Sequence, residues 1–187
     1  MATFEKRSTA PSNDNLYYIK TTNGGYNKCI KIQSNGSVLP NCTGYAYGRF
    51  MECQPNVTTC KLSRANAEEW YGHTSDGYTR GSTPKLGAVI CWHSSKSGGH
   101  VAIVEEIYDN GDIMTSNSAY GGSRYYNKKI KASNNYYMGS AYTFQGFIYN
   151  PTEFSEEPPE PSFTEETKRK SFPWALYSQK LRTKMRY

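Results

Sequence analysis

The hydrophobic pattern changes period partway along the chain, and the change divides the sequence. Residues 1–16 are polar and irregular, and Leu16-Tyr17-Tyr18-Ile19-Lys20 reads as a short strand or extended arm before an Asn23-Gly24-Gly25 turn. Pro40 and Asn41 then announce a helix from Cys42 to about Cys53, with Asn41 as its N-cap and Ala46, Phe50 and Cys53 as an apolar stripe at helical spacing. A second helix is predicted after Ser63, through Ala65, Ala67, Trp70 and Tyr71. Beyond the Asp76-Gly77 and Gly81-Ser82-Thr83-Pro84 loop signals the period becomes that of strands. Ala88–Trp92, His100–Tyr108, Ile113–Asn117 and Ala141–Tyr149 are the strand candidates, with a hairpin turn at Asp109-Asn110-Gly111-Asp112. Helices followed by antiparallel strands predict an α+β domain, with N-terminal helices packed on an antiparallel sheet.

Composition limits what the pattern can build. A chain of 187 residues holds one domain plus extensions, and 17 tyrosines supplement a hydrophobic content of 36%. No apolar run is long enough to span a membrane. The net charge of +6 is uneven. Residues 1–150 carry fifteen basic and ten acidic groups, residues 151–166 six glutamates and no base, and residues 167–187 seven bases and no acid. The division read from this is a domain over 1–150, an acidic Pro/Glu linker over 151–166 and a basic tail over 167–187. The basic charge suits an anionic wall or particle, and no nucleic-acid-binding motif accompanies it. Five cysteines leave at least one thiol unpaired, and Cys53 and Cys60 flank a turn across which they could pair.

The chemistry concentrates in two runs. Asn41-Cys42-Thr43-Gly44-Tyr45-Ala46-Tyr47-Gly48-Arg49 puts a cysteine at a helix start, where unpaired N–H groups stabilise a thiolate. Gly98-Gly99-His100-Val101-Ala102-Ile103-Val104-Glu105 puts a histidine at a strand start. If the fold joins them, the imidazole can take the thiol proton. With Ala65–Tyr71, Pro84–Trp92 and Thr115-Ser116-Asn117-Ser118, these runs follow one another in the order of a CHAP domain. The chain resembles that cysteine- and histidine-dependent amidohydrolase/peptidase family over about residues 38–149.

The resemblance implies a papain-like (NlpC/P60-like) α+β fold, a Cys42 nucleophile, a His100 base and a polar third residue at Asn117. The implied substrate is bacterial peptidoglycan, cut at an amide: either the N-acetylmuramoyl–L-alanine bond or a peptide bond of the stem or cross-bridge. The oxyanion would be held by the Cys42 backbone N–H, with the Asn41 side chain as a second donor. No cofactor is implied. With a two-residue turn at Asn110-Gly111, Asn117 would pair with Val104, on the His100 face but roughly 13 Å along the strand. A bulge, a longer turn or strong twist must close that gap. Ser116 and Ser118 would face the other way.

Competing readings are weaker. Cys91, His93 and His100 suggest zinc, but Cys91 and His93 alternate along a strand without a fourth ligand. Asp109 and Asp112 sit in a loop too short for a calcium site of the twelve-residue kind. Tyr45, Tyr47, Trp70 and Trp92 are read as core or groove wall. Met1–Arg7 lacks the apolar stretch of a signal peptide. The resulting expectation is a phage endolysin made in the host cytoplasm and released by a holin. The alternatives are a tail-associated lysin and a non-catalytic wall- or virion-binding protein, with the basic tail as the docking segment for virion proteins.

Overall fold

A computed structural model describes residues 2–12, 15–18, 41–54, 59–120 and 125–155. Residues 1–156 form one compact unit. The expected tail over 167–187 and the turn at 23–25 lie outside the described residues.

One α-helix is present among the described residues, α1 at Cys42–Glu52. Its N-cap is the expected one: Asn41 is extended and its Oδ1 accepts from Gly44 N at 2.8 Å and from Thr43 Oγ1 at 3.2 Å. The second expected helix does not form. Only a 3-10 turn at Ala67–Glu69 appears there. Its backbone groups are claimed by neighbours instead of by the next helical turn. Glu68 N donates to Gly98 O, and the Arg80 guanidinium donates to the carbonyls of Trp70, Tyr71 and His73. Residues 16–18 are turn and bend, not strand.

The strands are β1 Ala2–Thr3, β2 Arg80–Gly81, β3 Val89–Ser94, β4 His100–Ile107, β5 Ile113–Asn117, β6 Tyr126–Ile130, β7 Tyr142–Ile148 and β8 Phe154–Ser155. Six of them make an antiparallel sheet in the order β2-β7-β3-β4-β5-β6. This is the expected α+β class, with a helix laid on an antiparallel sheet. The sheet buries both faces. On the α1 side, Ala46, Phe50 and Trp70 pack with Val89, Cys91, Val101, Ile103 and Ile148. On the far side Ala88, Ile90, Trp92, Ala102, Val104, Ile113, Ile130 and Phe147 pack beneath Tyr136. Strands buried on both sides read as unbroken apolar runs, which is the pattern of Ala88–Trp92 and Val101–Val104.

β6 was not legible in the sequence. Its residues, Tyr-Asn-Lys-Lys-Ile, are mostly polar because it is an edge strand with only Ile130 buried. β8 was also unexpected, since residues 151–155 were read as the start of the linker. It pairs in parallel with β1, and Phe154 meets Phe4 edge-on at 4.9 Å. The polar N-terminal segment is thereby tied down. Arg7 pairs with Glu52, Lys6 Nζ reaches Glu106 Oε2 at 2.6 Å, and Arg49 Nη2 donates to Glu5 O at 2.6 Å.

β3 and β4 are joined through Gly99, whose φ is +81°. A Cβ at this position would lie 2.6 Å from Glu68 N and 2.7 Å from Trp92 O, so only glycine fits. Gly99→Ala should therefore destabilise the domain by about 1–3 kcal/mol, measured as a fall in the urea midpoint with unchanged slope. Gly98→Ala, which meets only the Asn66 side chain at 3.2 Å and has no such φ, should cost less.

Candidate active site

α1 begins at Cys42, so its thiol sits on the first helical residue, and the side chain is half-buried. Burial pushes the thiol pKa up, while hydrogen bonds from the backbones of Val101, Thr43 and Cys42 itself pull it back. The Val101 contact matters because Val101 follows His100 on β4. It fixes the helix start beside the strand start that carries the histidine.

His100 is 5% exposed. Its Nε2 lies 3.1 Å from Asn117 Oδ1. The Asn117 amide is oriented by its other bonds: Nδ2 donates to Thr115 O at 3.1 Å and to Thr115 Oγ1 at 2.9 Å. Its oxygen is thereby turned to the ring. Because that oxygen can only accept, the proton sits on Nε2, and Nδ1 is the basic nitrogen. Trp92 lies tilted against the imidazole with ring centres 5.8 Å apart, and Tyr142 meets it edge-on at 6.3 Å. Burial, opposed by the Asn117 bond and aided by a smaller push from Lys128, leaves the His100 pKa lowered to about 4. At neutral pH the imidazole is uncharged.

The strand register explains how Asn117 reaches His100. The hairpin loop is longer than two residues: Ile107 pairs with Ile113, and Tyr108 N bonds Asp112 O. Next comes a β-bulge between Val104 and Glu106, after which Val104 pairs with Thr115 and Ile103 with Ser116. Continuing that register sets Asn117 opposite Ala102, two residues closer to His100 than the two-residue turn predicted. Of the three alternatives named for closing the gap, the longer turn and the bulge are both present.

Asn41 directly precedes Cys42 and is buried, its Oδ1 held by the helix cap. Of the aromatic residues singled out, Tyr45, Trp70 and Trp92 are fully buried and Tyr47 nearly so. Sequence reasoning missed Tyr126, which pairs with Asn117 across β5–β6 and whose hydroxyl is raised in pKa by burial and then by the neighbouring Cys42 and Tyr142. It also missed Tyr142 and Lys128. Tyr126 and Lys128 sit on the edge strand β6, which carries no periodic signal, and Tyr142 opens β7 inside the expected strand without being singled out. Cys53, Cys60 and Cys91 are free thiols, so the Cys53–Cys60 pairing does not form. Burial raises Cys53 to about 12 and Cys60 to about 11. Cys91 is fully buried, whereas His93 on the same strand is exposed and faces Glu68 Oε2 at 3.5 Å. Among the described residues no cluster of three or more His, Cys, Asp or Glu could hold a metal. Asp112 Oδ1 accepts from Ala132 N.

Residues 32–119, a little under half of the chain, match the family described as the CHAP domain. It is 31% identical over 98 residues to a Staphylococcus aureus protein described as "Probable autolysin LDP", an overlap covering 52% of this chain and 34% of that one. It is 29% identical over 104 residues to the N-acetylmuramoyl-L-alanine amidase sle1 of Staphylococcus aureus, covering 55% of this chain and 30% of the relative. The chain thus spans about a third of the length of these relatives. A crystal structure of an N-acetylmuramoyl-L-alanine amidase from Staphylococcus aureus aligns with a TM-score of 0.44 and 23% identity, over 59% of this chain and 31% of that one.

The buried neutral histidine makes stability depend on pH. The unfolded chain takes up a proton on His100 near pH 6.5, whereas the folded protein resists until about 4. Its contribution is therefore complete above pH 6.5 and is lost as pH falls towards 4, by about 3 kcal/mol in total. Urea midpoints of wild type and His100→Gln, compared at pH 7 and pH 4.5, should converge at the lower pH by most of this amount.

Proposed function

We propose that the chain hydrolyses an amide bond of bacterial peptidoglycan, with Cys42 as nucleophile, His100 as general base and acid, and Asn117 as the residue that orients the imidazole. The observation that carries this reading is the Nε2–Asn117 bond, which leaves Nδ1 as the basic nitrogen of a histidine whose strand neighbour bonds the Cys42 thiol.

The steps follow from these groups. The Cys42 thiol gives its proton to His100 Nδ1 as sulfur attacks the carbonyl carbon. The carbonyl oxygen becomes an oxyanion beside the α1 N-terminus, held by the Cys42 N–H with the Asn41 amide as second donor. The C–N bond then breaks, and His100 returns its proton to the leaving amine. The remaining thioester is attacked by water, which gives a proton to His100. Collapse releases the carboxylic acid product and returns the proton to the thiolate. The neutral resting pair suits this cycle, because the free imidazole is ready to accept the thiol proton as attack begins.

The amidase name of one relative favours the N-acetylmuramoyl–L-alanine bond over a peptide bond of the stem or cross-bridge. The lysin setting, a phage endolysin or tail lysin, belongs to the same proposal and draws its support from the acidic and basic runs of residues 151–187. Cys42→Ala should reduce release of new termini from purified peptidoglycan by at least about 1,000-fold while wall binding persists, and Cys91→Ala should keep most activity. EDTA should leave turnover unchanged and a thiol alkylator should stop it. Wild-type turnover by Cys42→Ala would overturn the mechanism, and mass spectrometry of the products identifies the bond.

A further inference from the structure

We infer that Glu105 is a positioning residue for the site: its buried carboxylate locks the bulge that turns Asn117 towards His100, and binds that bulge to the helix carrying Cys42. The inference deepens the proposed function and rests on its assignment of Cys42, His100 and Asn117.

The bulge decides which face of the sheet Asn117 occupies. Ile107 pairs with Ile113 and Glu106 with Met114; continued without interruption, that register sets Asn117 against Ile103. Ile103 packs on the α1 side of the sheet. Asn117 would then point away from the His100 side chain, because a one-residue slip reverses every side chain of a strand. The single extra residue, Glu105, restores the match, so that Ile103 meets Ser116 and Asn117 turns to His100.

An extra residue in a strand needs something to hold it, and Glu105 is held on every side. Its carboxylate is 2% exposed at the residue level and accepts four hydrogen bonds. Arg49 Nε reaches Oε1 at 2.9 Å and Arg49 Nη2 reaches Oε2 at 2.8 Å, a two-point pairing. Ser116 Oγ donates to Oε1 at 2.6 Å, and Arg7 N to Oε2 at 2.9 Å. Arg49 is itself anchored by Glu52 Oε2 at 2.8 Å. Arg49 lies on α1 two turns after Cys42, Glu105 lies on β4 with His100, and Ser116 precedes Asn117 on β5. One carboxylate therefore joins the three elements that carry the proposed nucleophile, base and orienting amide.

Ser116 is the means of testing position apart from folding, since removing its hydroxyl takes one donor from Oε1 and leaves both Arg49 bonds in place. Ser116→Ala should lower kcat about 10- to 100-fold with KM within about twofold, and Ser116→Thr, which keeps the hydroxyl, should restore most of it. Glu105→Gln should act in the same direction and more strongly. The readout independent of turnover is the His100 Nε2–H proton resonance. It should be protected in wild type and Ser116→Thr, and shifted or lost in Ser116→Ala and Glu105→Gln. If Glu105→Gln fails to fold, Ser116→Ala decides alone. A lowered melting temperature with unchanged kcat and unchanged Nε2–H resonance in Ser116→Ala would overturn the inference. If wild type releases nothing from peptidoglycan, the functional reading fails, and the resonance still decides whether the clamp sets His100 against Asn117.

Discussion

A carboxylate without water around it must be fully bonded, and the rest of this domain is arranged around one such group. Glu105 sits between the helix and the sheet, with both of its oxygens occupied by Arg49 and each by one further donor. Removing one partner of a buried ion pair costs about 3–5 kcal/mol. That penalty gives the unit a single permitted arrangement: α1 cannot slide along β4, and β4 cannot slip against β5, without stranding a charge. The N-terminal segment joins the same network through Arg7, which donates its backbone N–H to Glu105 and pairs its side chain with Glu52. It packs on the domain, although its composition reads as polar and irregular.

The site inherits its electrical character from the same burial. His100 is enclosed by Trp92, Tyr142 and Asn117, and this enclosure keeps the ring neutral. The thiol of Cys42 is likewise raised by burial and lowered only by backbone donors. For the proposed Cys42–His100 pair, this environment favours a neutral thiol and imidazole over a preformed thiolate–imidazolium pair. In the proposed mechanism Asn117 contributes direction without charge, so the histidine would gain orientation but not the stabilisation a carboxylate would give its protonated form.

Much of this was legible in the residues because local rules governed it. Asn41 followed by Cys42 announced a helix start, and the structure begins α1 there. The unbroken apolar runs at 88–92 and 101–104 announced strands buried on both faces. The two sequence runs also brought Cys42, His100 and Asn117 forward as candidates, and the geometric gap to Asn117 pointed to a bulge or a longer turn. What stayed hidden depended on distant partners. The helix expected after Ser63 gives way because Arg80 and Gly98 take its backbone groups. The polar edge strand β6 carries no alternation strong enough to be seen. Arg49 and Glu105 stand in the quoted runs, each a charge inside an otherwise apolar stretch, but only the fold brings them together.

Trapping the covalent intermediate tests the central claim most directly. Purified protein mixed with soluble muropeptide, quenched in acid within the first turnover and digested, should yield a Cys42 peptide heavier by the acyl half of the cleaved amide. Product released with no adduct on Cys42, or with the acyl group on another cysteine, would contradict the account.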